Sequence, residues 1–374
     1  MLRIIHYSYT PNTASTNRLI AYVKNIPTNV QCKVYFMMPD SSLSRTDNFS
    51  SNIKVVYCWD KFNCTNKLFR FISFKLILKW IKSQIIEGDV VYCYNAPLFI
   101  SVLYKRGVHY YAEKTEHPLV TFPDSRLIKF NLEDHLKLCR NLDGLFVIST
   151  ALKDYYINEG VNPDRISIIN MTVDASRFIN IKKQYLNTSY IAYCGNASNN
   201  KDGVDKLIKS FSYVHRTHPN LFLYIIGQAP YSIHGENIQL AKKLCVLDKI
   251  VFTGIVCASE MPQLLKNAEV LVLNRPDSLQ AQCGFATKIG EYLLTENPIV
   301  VTSVGDVPLF LKDGESAMLS SANDDEEFAK KICWLLDNPE DARKIGYVGA
   351  QVAYSCFNAE IETHKMLKCM GYEI

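Results

Sequence analysis

The chain has 374 residues, 48% apolar and 21% charged, with 12 cysteines and a net charge of +4; that composition excludes a disordered or collagen-like chain, and the length suggests about two domains. Residues 1–180 hold 22 Lys and Arg against 15 Asp and Glu, and the remainder 19 against 22, so the first half is the basic one. The cysteines are scattered without a Cys-x-x-Cys pair, which argues against zinc and for free thiols in a reducing compartment.

The opening MLRIIHYSYT reads as a first strand rather than a leader. A helix is expected from about Ser15 to Ile26, then strands KVYFMMP and IKVVYCW. The stretch from Asn66 to Ile86 puts Lys67, Arg70, Lys75, Lys79 and Lys82 on one half of a helix, with Leu68, Phe71, Ile72, Leu76 and Ile77 over much of the rest. Two readings stand for it: a solvated lysine face, or a surface that docks on an anionic membrane. Strands DVVYCYN, HYYAEK and LDGLFVIS follow, then the helix ALKDYYINEGV, the strand RISIINMTV and a polar linker FINIKKQYLNTS.

A second series opens with YIAYCGN and the helix GVDKLIKSFSYVHRTHP. It continues through LFLYIIG, a helix near Glu236 to Leu247, KIVFTG, a helix at Ser259 to Asn267, EVLVLN and PIVVT. Helices close the chain at Glu326 to Leu336 and from Ala342 to Met370, the last packing back on the first domain. Strand–helix alternation of this kind predicts an α/β protein with two Rossmann-like doubly wound domains, residues 1–178 and 179–355, and a returning C-terminal helix at 356–374. Ligands of such sheets gather at the carboxyl ends of strands, which makes a cleft between the domains the default site. No apolar run is long enough to span a membrane, and no basic stripe interleaved with aromatics suggests nucleic acid.

Three stretches carry candidate chemistry. In CGFATKIGEYLL, Gly284 allows close backbone approach, and a helix starting near Thr287 turns unpaired N–H groups toward the strand ends, which suits an anion. Lys288 has the wrong charge for a helix start unless a phosphate lies nearby, and Glu291 suits sugar hydroxyls; the alternative for both is a solvated helix face. In YCGNASNNKDGVDKL, Gly195 ends a strand and Lys201 precedes Gly203 at another helix start, and two such turns in one domain suggest a diphosphate. In TEHP, His117 beside Glu116 either orients an acceptor hydroxyl or a sugar, or forms a turn before Pro118. Arg18, at the start of the first helix, is a candidate for an acceptor phosphate.

Together these residues resemble the retaining glycosyltransferases of family 4, with the GT-B fold. The likeness is densest from Tyr190 to Leu319, above all in GFATKIGEYLLTENPIVVTSVGDVPLFLKDGESAML, and extends to LDGLFVISTALKDYYINEGV, INMTVDASRF and AEKTEHP. The resemblance implies that Glu291 is the second acid of a paired-acid motif and contacts the nucleotide ribose. Cys283 stands where the first acid belongs, which shifts that role to backbone groups of Gly284 and Phe285. Asn196 and Asp202 replace two expected cations, leaving Lys201, with Lys288 or Arg275 supplying the missing charge. There is no Asp-x-Asp pair to hold a divalent ion, so a metal-independent reaction without cofactor is expected, the leaving diphosphate being neutralised by cations and helix ends. The implied activity moves a hexose-type residue from a UDP- or GDP-sugar, with retention, to a glycan or lipid-linked acceptor in surface or capsular polysaccharide assembly. The expected location is cytoplasmic, at the inner membrane face. A nucleotide-sugar epimerase, or a binding protein decayed at Cys283, Asn196 and Asp202, is the alternative.

Overall fold

The computed structural model describes residues 1–9, 13–39, 48–62, 70–94, 98–121, 132–184 and 187–374. Two all-parallel sheets form from the apolar runs. The first contains β1 (Leu2–Tyr9), β2 (Cys32–Pro39), β3 (Ile53–Tyr57), β4 (Val90–Tyr94), β5 (His109–Lys114), β6 (Gly144–Val147) and β7 (Ile166–Ile168), in the order β3-β2-β1-β4-β5-β6-β7. The second contains β8 (Tyr190–Cys194), β9 (Phe222–Ile226), β10 (Ile250–Gly254), β11 (Val270–Leu273), β12 (Ile299–Thr302) and β13 (Met318–Ser320), in the order β10-β9-β8-β11-β12-β13. Central strands such as VVYCY in β4 and YIAYC in β8 are buried along their whole length, as parallel strands covered by helices on both faces must be. Strand order reverses at β1/β4 and again at β8/β11, and such switch points open a crevice at the strands' carboxyl ends.

The chain divides into two compact units, Met1–Thr172 with Ala359–Ile374, and Val173–Asn358. Residues read as one terminal helix from Ala342 form two, Pro339–Cys356 and Ala359–Cys369. The break falls at Phe357, which is fully buried against Phe285 and Phe310. Beyond it, Met366, Leu367 and Met370 join Leu2, Ile4, Leu19 and Val23 in the core of the first unit. Glu362 fixes this helix by accepting from the Asn170 backbone N–H at 2.7 Å and its side-chain amide at 3.2 Å.

The basic helix runs Arg70–Gln84, and Lys67 and Leu68 lie outside the described residues. Its buried face is Phe74, Ile77, Leu78 and Ile81, at helical spacing. Phe71, Ile72 and Leu76, expected to share the apolar side with Ile77, are instead 40%, 53% and 48% exposed and sit among Lys75 and Lys79. They lie one turn or less from the lysines, because 71, 72, 75, 76 and 79 fall on one stripe. No helix among the described residues is long and apolar enough to cross a membrane.

Candidate functional site

The second unit brings most of the predicted residues together at the β8/β11 switch point. β8 ends at Cys194, and Tyr193 and Tyr292 hold that end. The Cys194 N–H donates to Tyr292 Oη at 2.7 Å, and Tyr193 Oη lies 2.7 Å from both the Asn196 carbonyl and Asp202 Oδ2. Gly195 then turns out of the strand with φ +155°. A Cβ there would overlap the Lys288 ammonium and come within 2.9 Å of Tyr193 Oη, so glycine at 195 makes room for a lysine delivered by a different helix.

Lys288 opens the helix Lys288–Leu294 and pairs with Asp202, the last residue of the short helix Asn199–Asp202. Its Nζ is 3.3 Å from Tyr193 Oη and 4.8 Å from the centroid of that ring. Arg275, two residues past β11 and buried, places Nε 3.9 Å from Asp202 Oδ1 and donates to the Lys201 carbonyl at 3.2 Å. Asp202 is 3% exposed and Lys288 15%. Burial pushes the Asp202 carboxyl up, but Lys288, Tyr193 and Arg275 together draw it below its ordinary value. At Lys288 burial, with Arg275 assisting, draws the ammonium down against the pull of Asp202. The cation at this helix start is thus matched by an acid of the protein, a partner that neither sequence reading of Lys288, phosphate ligand or solvated face, included.

The amides of the two turn glycines themselves are committed internally. Gly195 N–H donates to Ile226 O at 2.9 Å and Gly284 N–H to Gln280 O at 3.0 Å. Gly284 has φ −102° and ψ 167°, ordinary extended backbone. Gly203, in contrast, takes φ +66° and packs so closely on the Asn274 carbonyl that any side chain would overlap it. Those two amides are spent within the turns themselves, and Lys288 and Arg275 set side-chain cations beside the Gly195–Gly203 turn.

Glu291, one turn after Lys288, pairs with Arg177, each side chain about one-quarter exposed. Arg177 sits in the 3-10 turn Ala175–Phe178, capped by Asp174 Oδ1 on the Ser176 N–H at 3.0 Å. Thr287 caps the Glu291 helix without a side-chain hydrogen bond. Cys283 is buried, and burial with Asp306 beside it pushes its thiol up. Phe285 packs its ring on Phe310 and Phe357, with centroids 5.5 and 5.4 Å away, and so anchors the loop from below. Lys201 is half-buried beside Asp202.

The three residues expected on the acceptor side belong to the first unit. His117 is buried, accepts the Leu119 N–H at Nδ1 over 3.2 Å and lies 4.2 Å from the Tyr155 ring centroid. That bond caps the turn at Pro118–Thr121 and leaves the proton on Nε2; burial keeps the ring neutral. Glu116 beside it is half-buried. Arg18 is 2% exposed, with Nε 2.7 Å from Glu113 Oε1 and its other nitrogens on the Asn170 and Ile169 carbonyls at 2.7 and 2.9 Å. All its donors face inward, so it is a core ion pair rather than a phosphate ligand.

Residues 188–338 match the sequence family described as Glycosyl transferases group 1. This stretch, about two fifths of the chain, is similar to a group 1 glycosyltransferase domain. It covers both glycine turns, Arg275, Lys288 and Glu291. The chain is 24% identical over 229 residues to the MMP alpha-(1->4)-mannosyltransferase of Mycolicibacterium hassiacum, an alignment covering 61% of this chain and 53% of that one, so it spans about half the length of that curated relative. Among solved structures, Anabaena HepE in complex with UDP and glucose superposes with a TM-score of 0.73 over 99% of both chains at 14% identity. WaaG, a glycosyltransferase involved in lipopolysaccharide biosynthesis, gives 0.69 over 100% of both at 13%. The fold is therefore GT-B.

Reasoning from sequence passed over Arg177, Tyr193 and Tyr292, and treated Asp202 only as a departure. Arg177 stands 114 positions from Glu291 and carries no local signal. Tyrosines at 193 and 292 lie inside apolar runs and read as core; the polar tip of one immediately before Cys-Gly was the available clue.

Proposed function

We propose that the protein transfers a glycosyl residue from a nucleoside-diphosphate sugar to a glycan or lipid-linked acceptor, with retention and without a metal. One observation carries the reading: a half-buried lysine held against the glycine turn that ends β8, inside the stretch similar to group 1 glycosyltransferases and at the sheet's switch point. Charge accumulates on the diphosphate as the glycosidic bond breaks, and Lys288 with Arg275 stands where it needs neutralising. Preset cations in a poorly hydrated site contribute roughly 2 to 4 kcal/mol each to such a step. Glu291, fixed by Arg177, takes the ribose hydroxyls; His117 and Glu116 are assigned to the acceptor. The UDP bound by Anabaena HepE supports a nucleoside-diphosphate sugar, UDP- or GDP-linked, as donor.

An acceptor at a membrane surface in polysaccharide assembly fits the stripe of Phe71, Ile72 and Leu76 among lysines, which suits anionic lipid. The deciding experiment incubates purified protein with UDP- and GDP-sugars, with and without a bacterial lipid extract, in the presence of EDTA. Release of free nucleoside diphosphate only when acceptor is present is expected. Tight binding without turnover across the panel would replace the transferase by a nucleotide-sugar sensor, and loss of turnover in EDTA would remove the metal-free mechanism.

A further inference from the structure

Asp202 stands immediately before Gly203, in the turn where the resemblance leads one to expect a cation, and is almost wholly buried. Its carboxylate touches Lys288 and lies 3.9 Å from Arg275, so one acid faces two cations. The groups around Lys288 are Asp202 from the 199–202 turn, Arg275 from the end of β11, and Tyr193 and Cys194 from β8. Among these, Asp202 favours the charged form most strongly, while burial and Arg275 oppose it.

Building on the donor-site reading above, we propose that Asp202 is a positioning residue: it holds the Lys288 ammonium against the Gly195 turn, so that a nucleoside diphosphate meets a cation already in place. The acid at 202 and the base at 288 act as one element, and the apparent loss of a phosphate cation before Gly203 is made good by a lysine from another helix. Preorganisation of this kind spares the ligand the cost of ordering a long side chain.

Asp202→Asn preserves size and the Tyr193 contact while removing the charge. UDP binding measured by calorimetry from pH 6.5 to 9 should weaken at least tenfold at pH 8. Affinity should also begin to fall at least one pH unit lower than in the unaltered protein, because Lys288 beside Arg275 alone loses its proton sooner. Asp202→Glu should recover most of the affinity. In a Lys288→Met background, adding Asp202→Asn should change UDP binding less than twofold; this comparison carries the test even where the Asn variant alone does not fold, since the double variant leaves no unpaired carboxylate. Coincident pH profiles for Asp202→Asn and the unaltered protein would overturn the proposal, and so would tighter UDP binding by the Asn variant, which would make the acid a competitor of phosphate. Failure of the unaltered protein to bind UDP, GDP or ADP would instead bring down the donor-site reading and this inference with it.

Discussion

Arg18 and Glu113 are bound to each other inside the first unit, 2% and 0% exposed, with Nε 2.7 Å from Oε1. Tyr92 donates to the other oxygen of the same carboxylate, and the Arg18 guanidinium reaches the carbonyls of Ile169 and Asn170, the residue that also holds Glu362. Removing one partner leaves a buried charge uncompensated, at about 3 to 5 kcal/mol. Arg18→Met and Glu113→Gln should each lower stability by that order in urea unfolding, and the double variant should be less destabilised than the two losses combined. Strict additivity would show that the pair does not act as a unit.

Glu291→Ala should abolish the thermal shift given by UDP or GDP while moving the ligand-free melting point little. The Arg177–Glu291 pair is partly open to water, where such pairs contribute about 0 to 1 kcal/mol. A nucleotide at 100 times its dissociation constant adds about 2.7 kcal/mol, so its loss is readily seen in differential scanning fluorimetry. An undiminished shift in the Ala variant would take Glu291 out of the site.

Gly195→Ala and Gly227→Ala should fail in different ways. A side chain at 195, where φ is +155°, carries backbone strain but meets the movable end of Lys288, so the loss of stability should be the smaller of the two while nucleotide affinity drops at least tenfold. At 227, where φ is +127°, a side chain meets the Gly195 carbonyl, which cannot withdraw without breaking its own turn. Strain there should cost more than about 2 kcal/mol, visible as a lower urea midpoint. Equal midpoints for the two variants would contradict the geometry.

Acid should destabilise the first unit before its carboxylates are protonated. Burial draws His6 from 6.5 to about 4, and His135, with Lys114 adding to burial, to about 3. The folded form therefore keeps both rings neutral while the unfolded chain takes up protons near 6.5. Between about pH 6.5 and 4 the unfolded state binds more protons, so stability present at pH 7 is lost as pH falls, by about 3 kcal/mol for His6 alone. His6→Phe should flatten this slope in urea unfolding at a series of pH values; an unchanged slope would assign the loss elsewhere.

Phe71, Ile72 and Leu76 exchanged together for Ser should reduce co-sedimentation with vesicles containing anionic phospholipid at least fivefold, with no fall in melting temperature because their side chains already face water. A fall in stability with unchanged sedimentation would mark them as packing residues.

Apart from β13, three residues too short to show a pattern, the strands of both sheets were legible because runs such as VVYCY and FLYII are continuous, β-branched or aromatic, and bounded by turns. Helix faces were less so: around Arg70–Gln84 apolar residues occur on every side, and only packing reveals that Phe74 rather than Phe71 faces inward. At the site, local pattern marked the glycines, Lys288 and Glu291 but not their functions. Partners lie 86 positions away for Lys288 and 114 for Glu291, and no periodicity reports a contact of that range. Arg18 misled for a related reason: a cation at a helix start looks solvent-facing until a carboxylate from β5 is brought beneath it.

The helix Ala359–Cys369 has a consequence for biosynthesis. Met366, Leu367 and Met370 fill the same core as Leu2 and Ile4, so a sheet made early in translation is completed by a helix made much later. Until translation passes the whole Val173–Asn358 unit, an apolar face on the first-made sheet stays uncovered, and a nascent chain stalled in that interval would be a natural client for a chaperone that holds such faces.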